Sequence, residues 1–230
     1  MGQTGDGAGD PPGGDGALCR APWQARRELR RAILERRLLP GQVLHVRDLA
    51  TFLQTSVAVA EEVLTDLTRE GLVEDADGAS VVMVSTAEEA EELDDLRVVL
   101  QELVVRGFVA HASLSQMRAL RQAVYRFADL VGSAASPADL FAAKEWVYGL
   151  LLRGCGNTSV IPLLARIRGR VSVVTAAALA LPGVADSIAA DLRAILRAVE
   201  MRDAKTAAHL CRVHLCRTRE AGLVGLAVES

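Results

Sequence analysis

From residue 86 onward, helix-spaced apolar residues are interrupted only by short turns, and this periodicity limits the C-terminal part of the chain to an all-helical packing. "TAEEAEELDDLRVVLQELVVRGFVAHA" opens with carboxylates, which the helix dipole favours in a first turn, and continues as an apolar face. "SLSQMRALRQAVYRFADLV" is the next stretch. "SPADLFAAKEWVYGLLLRG" places Ser136 at a cap and Pro137 at the first helical position. "TSVIPLLARIRGRVSVVTAAALAL", "VADSIAADLRAILRAVEMR" and "DAKTAAHLCRVHLCRTREAGLVGLAV" supply three more. Hydrophobic residues make up 50% of the chain and aromatics only 3%, so the core must be built from Ala, Leu and Val, a composition suited to helices. The expected architecture for residues 86–230 is a six-helix antiparallel bundle with a central cavity.

Residues 20–85 read differently. "PWQARRELRRAILERRL" predicts a helix over residues 22–38, with Pro22 in its first turn and Trp23, Leu29, Ile33 and Leu34 on one face. Pro40-Gly41 breaks it. "VRDLATFLQ" predicts a short helix with Leu49, Ala50 and Leu53 inward. Ser56 caps a third helix carrying Val59, Val63, Leu64 and Leu67, which Gly71 closes. "GLVEDADGASVVMVS" has two apolar runs around an Asp-Gly turn, a hairpin pattern. Three helices and a two-stranded wing make a winged helix-turn-helix. The fold class is therefore mainly α.

Residues 1–19 form a Gly/Asp/Pro-rich segment with nothing to bury, expected to be a disordered tail, and they lack the charge and apolar core of a secretory signal. The longest apolar run, "VSVVTAAALALPGVA", is too short to span a bilayer, so a cytoplasmic protein with no membrane partner is expected. Cys19, Cys155, Cys211 and Cys216 contain no CxxC pair and read as reduced, mostly buried thiols. A net charge of -3 excludes strong non-specific attraction to nucleic acid over the whole surface, though not a local basic patch.

The stretches "LRRAILERRLLPGQVLHVRDLATFLQ", "VLTDLTREGLVE", "GNTSVIPLLARI" and "AILRAVEMRDAKTAAHLCRVH", in this order, resemble the GntR family of bacterial transcription regulators, of the FadR type with an FCD effector domain. The resemblance covers nearly all of residues 22–220. It implies a homodimer that binds operator DNA through the winged helix and a small organic acid, often beside a metal ion, in the bundle.

Two departures from that pattern matter. Family members usually present two arginines in the recognition helix; the matching positions here, counted from Ser56, are Val57 and Glu61. Arginine's fork pairs with guanine or phosphate, so its loss predicts weakened DNA recognition. Arg69 is the one cation of that helix, against Glu61, Glu62, Asp66 and Glu70. Arg30 and Arg31 of the first helix either grip phosphates or solvate an exposed face. The DNA-contacting set implied is Arg30, Arg31, Ser56 and Arg69.

At the four metal-ligand positions the resemblance places Lys144, Tyr148, Leu192 and His214, so no metal and no other cofactor is expected. Lys144 and Tyr148, four residues apart, share a helical face. With Arg97 and His214 they form the expected ligand site, suited to a carboxylate without a metal; Arg97 could instead serve an interdomain ion pair. The blander alternative is that Tyr148 fills core and Lys144 reaches solvent. His209 and Cys211 are expected off the His214 face, and Asp139 lies too far along its helix to replace a ligand.

The leading functional reading is a ligand-responsive regulator with a metal-free pocket. A second is a repurposed enzyme or small-molecule binder that no longer binds DNA, with Lys144, Tyr148 and His214 as catalytic acid-base groups. A third is a partner that poisons related dimers.

Overall fold

The computed structural model describes residues 20–84 and 87–228. The expected tail, residues 1–19, lies outside them.

Helices α1 (Pro22–Leu34), α2 (Val46–Leu53) and α3 (Val57–Arg69) precede a hairpin of β1 (Val73–Ala76) and β2 (Ala79–Val82). The α1 helix ends four residues earlier than its apolar pattern suggests, at a turn in which Arg36 takes a left-handed φ of 55°. Its buried face is Ala25, Leu29, Ala32, Ile33 and Leu34, whereas Trp23 is 65% exposed. Two residues before Ala25, Trp23 is turned roughly 200° away from it, at 100° per residue. In α2, Leu49, Ala50 and Leu53 point inward as read from the sequence. Ser56 caps α3, its Oγ accepting from the Val59 N–H at 3.3 Å, and Val63, Leu64 and Leu67 are buried beside Ala60. Asp77 and Gly78 both have positive φ, the geometry of a tight hairpin turn, and the Asp75 carboxylate accepts from the Gly78 N–H at 2.8 Å. Val73 faces Val82 in an antiparallel register, and Val43 bridges to Val81 on the other edge.

Six helices follow: α4 (Ala87–His111), α5 (Leu114–Gly132), α6 (Pro137–Gly154), α7 (Val160–Ala180), α8 (Val184–Glu200) and α9 (Ala204–Val228). Ser113 and Gln116 close a reciprocal cap on α5, and Ser136 caps α6 by accepting from the Asp139 N–H. Arg202 donates to the carbonyls of Val109 and Ala112, satisfying acceptors that the end of α4 leaves open. The α9 helix packs against α4, α7 and α8, and α5 against α6 and α8.

The two halves share one hydrophobic core. Besides α1 packing on α7, two contacts join them. Arg27 of α1 pairs with Asp139 of α6 at 2.6 Å. At the end of α3, Gly71 lies against Gly169 in the middle of α7, where an ideal Gly71 Cβ would sit 3.6 Å from the Gly169 Cα. A Cβ on Gly169 would be driven into the Gly71 carbonyl group, so the backbones approach this closely only because residue 169 is glycine. Gly71 also needs its φ of +75° to end α3.

Candidate functional site

The centre of the bundle is polar where its composition predicts apolar filling. Asp94, Gln101, Lys144, Ser172, Thr175, His214 and Thr218 are all buried. Helical spacing brings them together: Asp94, Arg97 and Gln101 on α4, Lys144 and Tyr148 on α6, Ser172 and Thr175 on α7, and Cys211, His214 and Thr218 on α9. Within this cluster five buried atoms have no hydrogen-bond partner: Asp94 Oδ2, Gln101 Oε1, Lys144 Nζ, Tyr148 Oη and His214 Nε2. Asp94 Oδ2 still lies 3.9 Å from the Arg219 guanidinium, but buried polar groups are almost always paired, so the orphaned atoms of Gln101, Lys144, Tyr148 and His214 mark a site (or bound water) rather than a finished core.

A cavity of about 30 Å³, room for one or two waters, is walled in part by Arg97, Gln101, Tyr148, Ser172 and Thr175. Lys144 and His214 do not line it. Tyr148 does, and its ring centre is 5.7 Å from Lys144 Nζ and 6.4 Å from the His214 ring, nearly parallel to the latter. Sequence reasoning set Lys144, Tyr148 and His214 together, and the structure does so. It puts only Tyr148 and Arg97 of the expected ligand set on the cavity itself. The alternative in which Lys144 reaches solvent is overturned: the residue is 1% exposed, because four methylenes on the inward face of α6 cannot reach the surface.

Burial governs the ionisation of these groups. It pushes the Lys144 ammonium down to about 7, helped by the positive charge of Arg97. It pushes His214 down to about 4, against the opposing effect of its hydrogen bond to the Asp191 carboxylate. His214 is therefore neutral at physiological pH. Its Nδ1 donates to Asp191 Oδ2 at 3.2 Å, which leaves Nε2 as an acceptor. Burial raises Asp191, but the hydrogen bonds and charges of His214 and Arg217 prevail and hold it below the usual carboxylate range. Burial carries the Cys211 thiol up to about 12 and the Tyr148 phenol well above 10.0, each influenced by the other. Arg97 is held by Asp94 at 3.1 Å, so its ion pair is within the bundle and not between domains.

Cys211 shares the inward face of His214, contrary to the sequence expectation: three residues apart, both are fully buried. His209 is exposed, as expected. Asp191, one residue before the matched Leu192, escapes a reading of the sequence; its only signal there is its place on a helix facing α9. Among the described residues no three His, Cys, Asp or Glu side chains are grouped to hold a metal. The family's metal does not fit this donor set, in which an ammonium and a leucine stand at two ligand positions and the His214 Nδ1 is committed to Asp191.

A proton-relay reading of Lys144, Tyr148 and His214 lacks the hydrogen bonds a relay needs, since the reactive atom of each is orphaned.

The other end of the chain presents a second candidate surface. Glu61 and Glu62 are exposed on α3, as the sequence indicates, and so is Thr65. Asp66 and Glu70 are not free acids: Glu70 is clamped by Arg26 and Arg30, and Asp66 by Arg26 and Arg69. The expectation that these two acids oppose DNA is corrected, since α1 packs beside α3 and neutralises them. The same pairing draws Arg30 away from a free phosphate-gripping role, and Arg31 pairs with Glu35 at 2.7 Å. Ser56 is exposed at the start of α3, and Arg69 is largely exposed near its end. Sequence reasoning missed Arg47, exposed on α2 with no ion-pair partner among the described residues.

A winged helix-turn-helix seated on a helical bundle with a polar centre defines a two-domain transcription regulator. Residues 23–83 match the family described as bacterial regulatory proteins, gntR family, and residues 92–217 match the FCD domain; the chain belongs to the GntR family, with an FCD effector domain. No curated protein matches the chain. Among solved structures, E. coli McbR/YncC is similar with a TM-score of 0.72 at 13% identity, over 90% of this chain and 99% of that one. A GntR transcriptional regulator from Rhodococcus sp. RHA1 gives 0.66 at 19%, over 88% and 97%. Listeria monocytogenes Lar, described as controlling expression of the agr system, gives 0.56 at 15%, over 90% and 98%. At these identities the likeness is one of fold. The family match spans the whole winged helix, so nothing in the comparisons supports the expectation that DNA binding is weakened or lost. No single helix among the described residues is long and apolar enough to cross a membrane.

Proposed function

We propose that this protein is a cytoplasmic GntR-family regulator whose effector is a small carboxylate bound without a metal at the centre of the bundle. The observation that carries the reading is the buried, unpartnered ammonium of Lys144, with Arg97 nearby and Tyr148 Oη and His214 Nε2 also unpartnered. A desolvated cation with no counter-ion calls for an anion. Neutral His214 accepts from a hydroxyl on the ligand or from Lys144, and Tyr148 turns aside to join the cavity to the ammonium. The response reaches the winged helix along α7, whose Ile167, Val171 and Ser172 wall the cavity while Gly169 abuts Gly71. DNA is held mainly through phosphates, by Arg47 and Arg69, because Glu61 and Glu62 occupy the outward face that reads bases.

Sequencing of genomic fragments retained by the full-length protein, in the presence of a chelator, tests this. A panel of acetate, pyruvate, succinate and citrate is then screened for release of the fragment and for thermal stabilisation. A carboxylate that does both, with its apparent Kd rising about tenfold from pH 7.5 to 8.5, is expected, since above pH 7 the lysine must first take up a proton. Arg47→Ala and Arg69→Ala should each lower the salt dependence of DNA binding by about one counter-ion. Failure to retain any fragment, or a response that needs a divalent metal, sinks the reading.

The family's dimer is assigned to α4. Leu96, Val99 and Leu103 are exposed at three- and four-residue spacing, a stripe that a second copy covers across a two-fold axis. Val99→Asp should convert the dimer to monomer in sedimentation velocity; an unchanged sedimentation coefficient would place the interface elsewhere.

A further inference from the structure

We propose that the seam between the winged helix and the bundle is a second small-molecule site, for a planar aromatic ring carrying a carboxylate. Between α1 and helices α5 and α6 lies a cleft of about 600 Å³. That is ligand-sized as it stands, whereas the bundle cavity, at about 30 Å³, takes a carboxylate only once Tyr148 has turned aside. Its walls combine two chemistries. The first is aromatic: the chain has two tryptophans, Trp23 and Trp146, and both line this cleft. They stay 65% and 56% exposed, although Arg153 lies over the Trp146 ring at 4.7 Å. Leu34, Leu130 and Phe141 supply an apolar floor.

The second is charge. Four arginines, Arg27, Arg30, Arg31 and Arg126, face the cleft against one carboxylate, Asp139. Arg27 is spent on Asp139, Arg30 on Glu70 and Arg31 on Glu35. Arg126 of α5 is exposed and has no ion pair among the described residues. An exposed guanidinium beside exposed indoles fits an anion on a flat ring: the carboxylate pairs bidentately with Arg126 and the ring lies on tryptophan. Because the walls come from both domains, such a ligand fixes the angle of α1, and with it α3, against the bundle. This site rests on none of the groups of the carboxylate cavity.

Having both tryptophans at the seam makes intrinsic fluorescence a local reporter. The full-length protein and its Lys144→Met variant, in which the bundle cavity is silenced, are titrated with naphthoate, with neutral naphthalenemethanol and with ring-free succinate. Saturable tryptophan quenching by naphthoate, equal in both proteins, at least tenfold weaker for naphthalenemethanol and absent for succinate in the Lys144→Met variant, supports the site. Arg126→Glu should weaken naphthoate at least tenfold, and Arg126→Gln by a smaller factor; both change an exposed, unpaired side chain, and their melting curves should match the parent. Equal binding of the neutral ring, undiminished binding by Arg126→Glu, non-saturable quenching, or loss of binding in Lys144→Met each overturns the proposal.

Discussion

Lys144→Met is expected to stabilise the ligand-free protein by about 1–4 kcal/mol at pH 6, while abolishing its response to carboxylates. Methionine has nearly the length and volume of lysine, so it fills the same space, and it removes an ammonium that the folded protein encloses without a partner. For a chain of this size that is a rise in melting temperature of roughly 2–4 °C per kcal/mol. The pH dependence gives the test a second edge. Lys144 titrates near 7 in the folded protein and near 10.5 when unfolded, so between those values the unfolded state binds more protons. Wild-type stability therefore climbs as pH rises above 7. Above 9 the buried Cys211 thiol opposes the climb, since it keeps its proton up to about 12 in the folded state while the unfolded thiol loses it near 9.0. The clean window is pH 7 to 9, with a gain on the order of 2 kcal/mol that Lys144→Met should flatten. Differential scanning calorimetry decides it, at pH 6 for the stabilisation and at pH 7, 8 and 9 for the slope, above the range in which unfolded His214 takes up its proton. A destabilised, still pH-sensitive variant would mean that the ammonium has a partner in solution.

The second large effect is at the domain seam. Replacing a glycine inside a helix by alanine ordinarily stabilises by up to about 1 kcal/mol. Gly169→Ala should reverse that sign, because its methyl group is forced against the Gly71 carbonyl, which is backbone and cannot rotate away. The winged helix has to withdraw from α7, at a cost of about 1–3 kcal/mol. The expected signs are a lower melting temperature and a larger radius of gyration in small-angle scattering, with carboxylate binding kept and its effect on DNA lost. An alanine variant as stable as the parent would show that α3 and α7 do not touch in solution.

Much of this architecture is legible in the residues. The cap at Ser56, the Asp-Gly hairpin, the six helical stretches and the order winged helix then bundle are local: each depends on propensity, capping or periodicity within a few turns of chain. For the same reason, helical spacing suffices to put Lys144, Tyr148 and His214 on inward faces. Trp23, expected on one face with Leu29, Ile33 and Leu34, is instead exposed, since at 100° per residue it points roughly 200° from the buried Ala25.

Ion pairing is not legible. That Glu70 answers Arg26 and Arg30, or Asp139 answers Arg27, depends on segments 40 and more residues apart being brought together. Nor can the sequence say which buried atoms stay unpartnered, that Tyr148 lines the cavity while Lys144 does not, or that both tryptophans border the domain seam. The sequence by itself determined the elements, their order and the residue types turned inward. Tertiary structure alone decided charge compensation, cavity size and domain contact, because these depend on distances between helices that no local rule specifies.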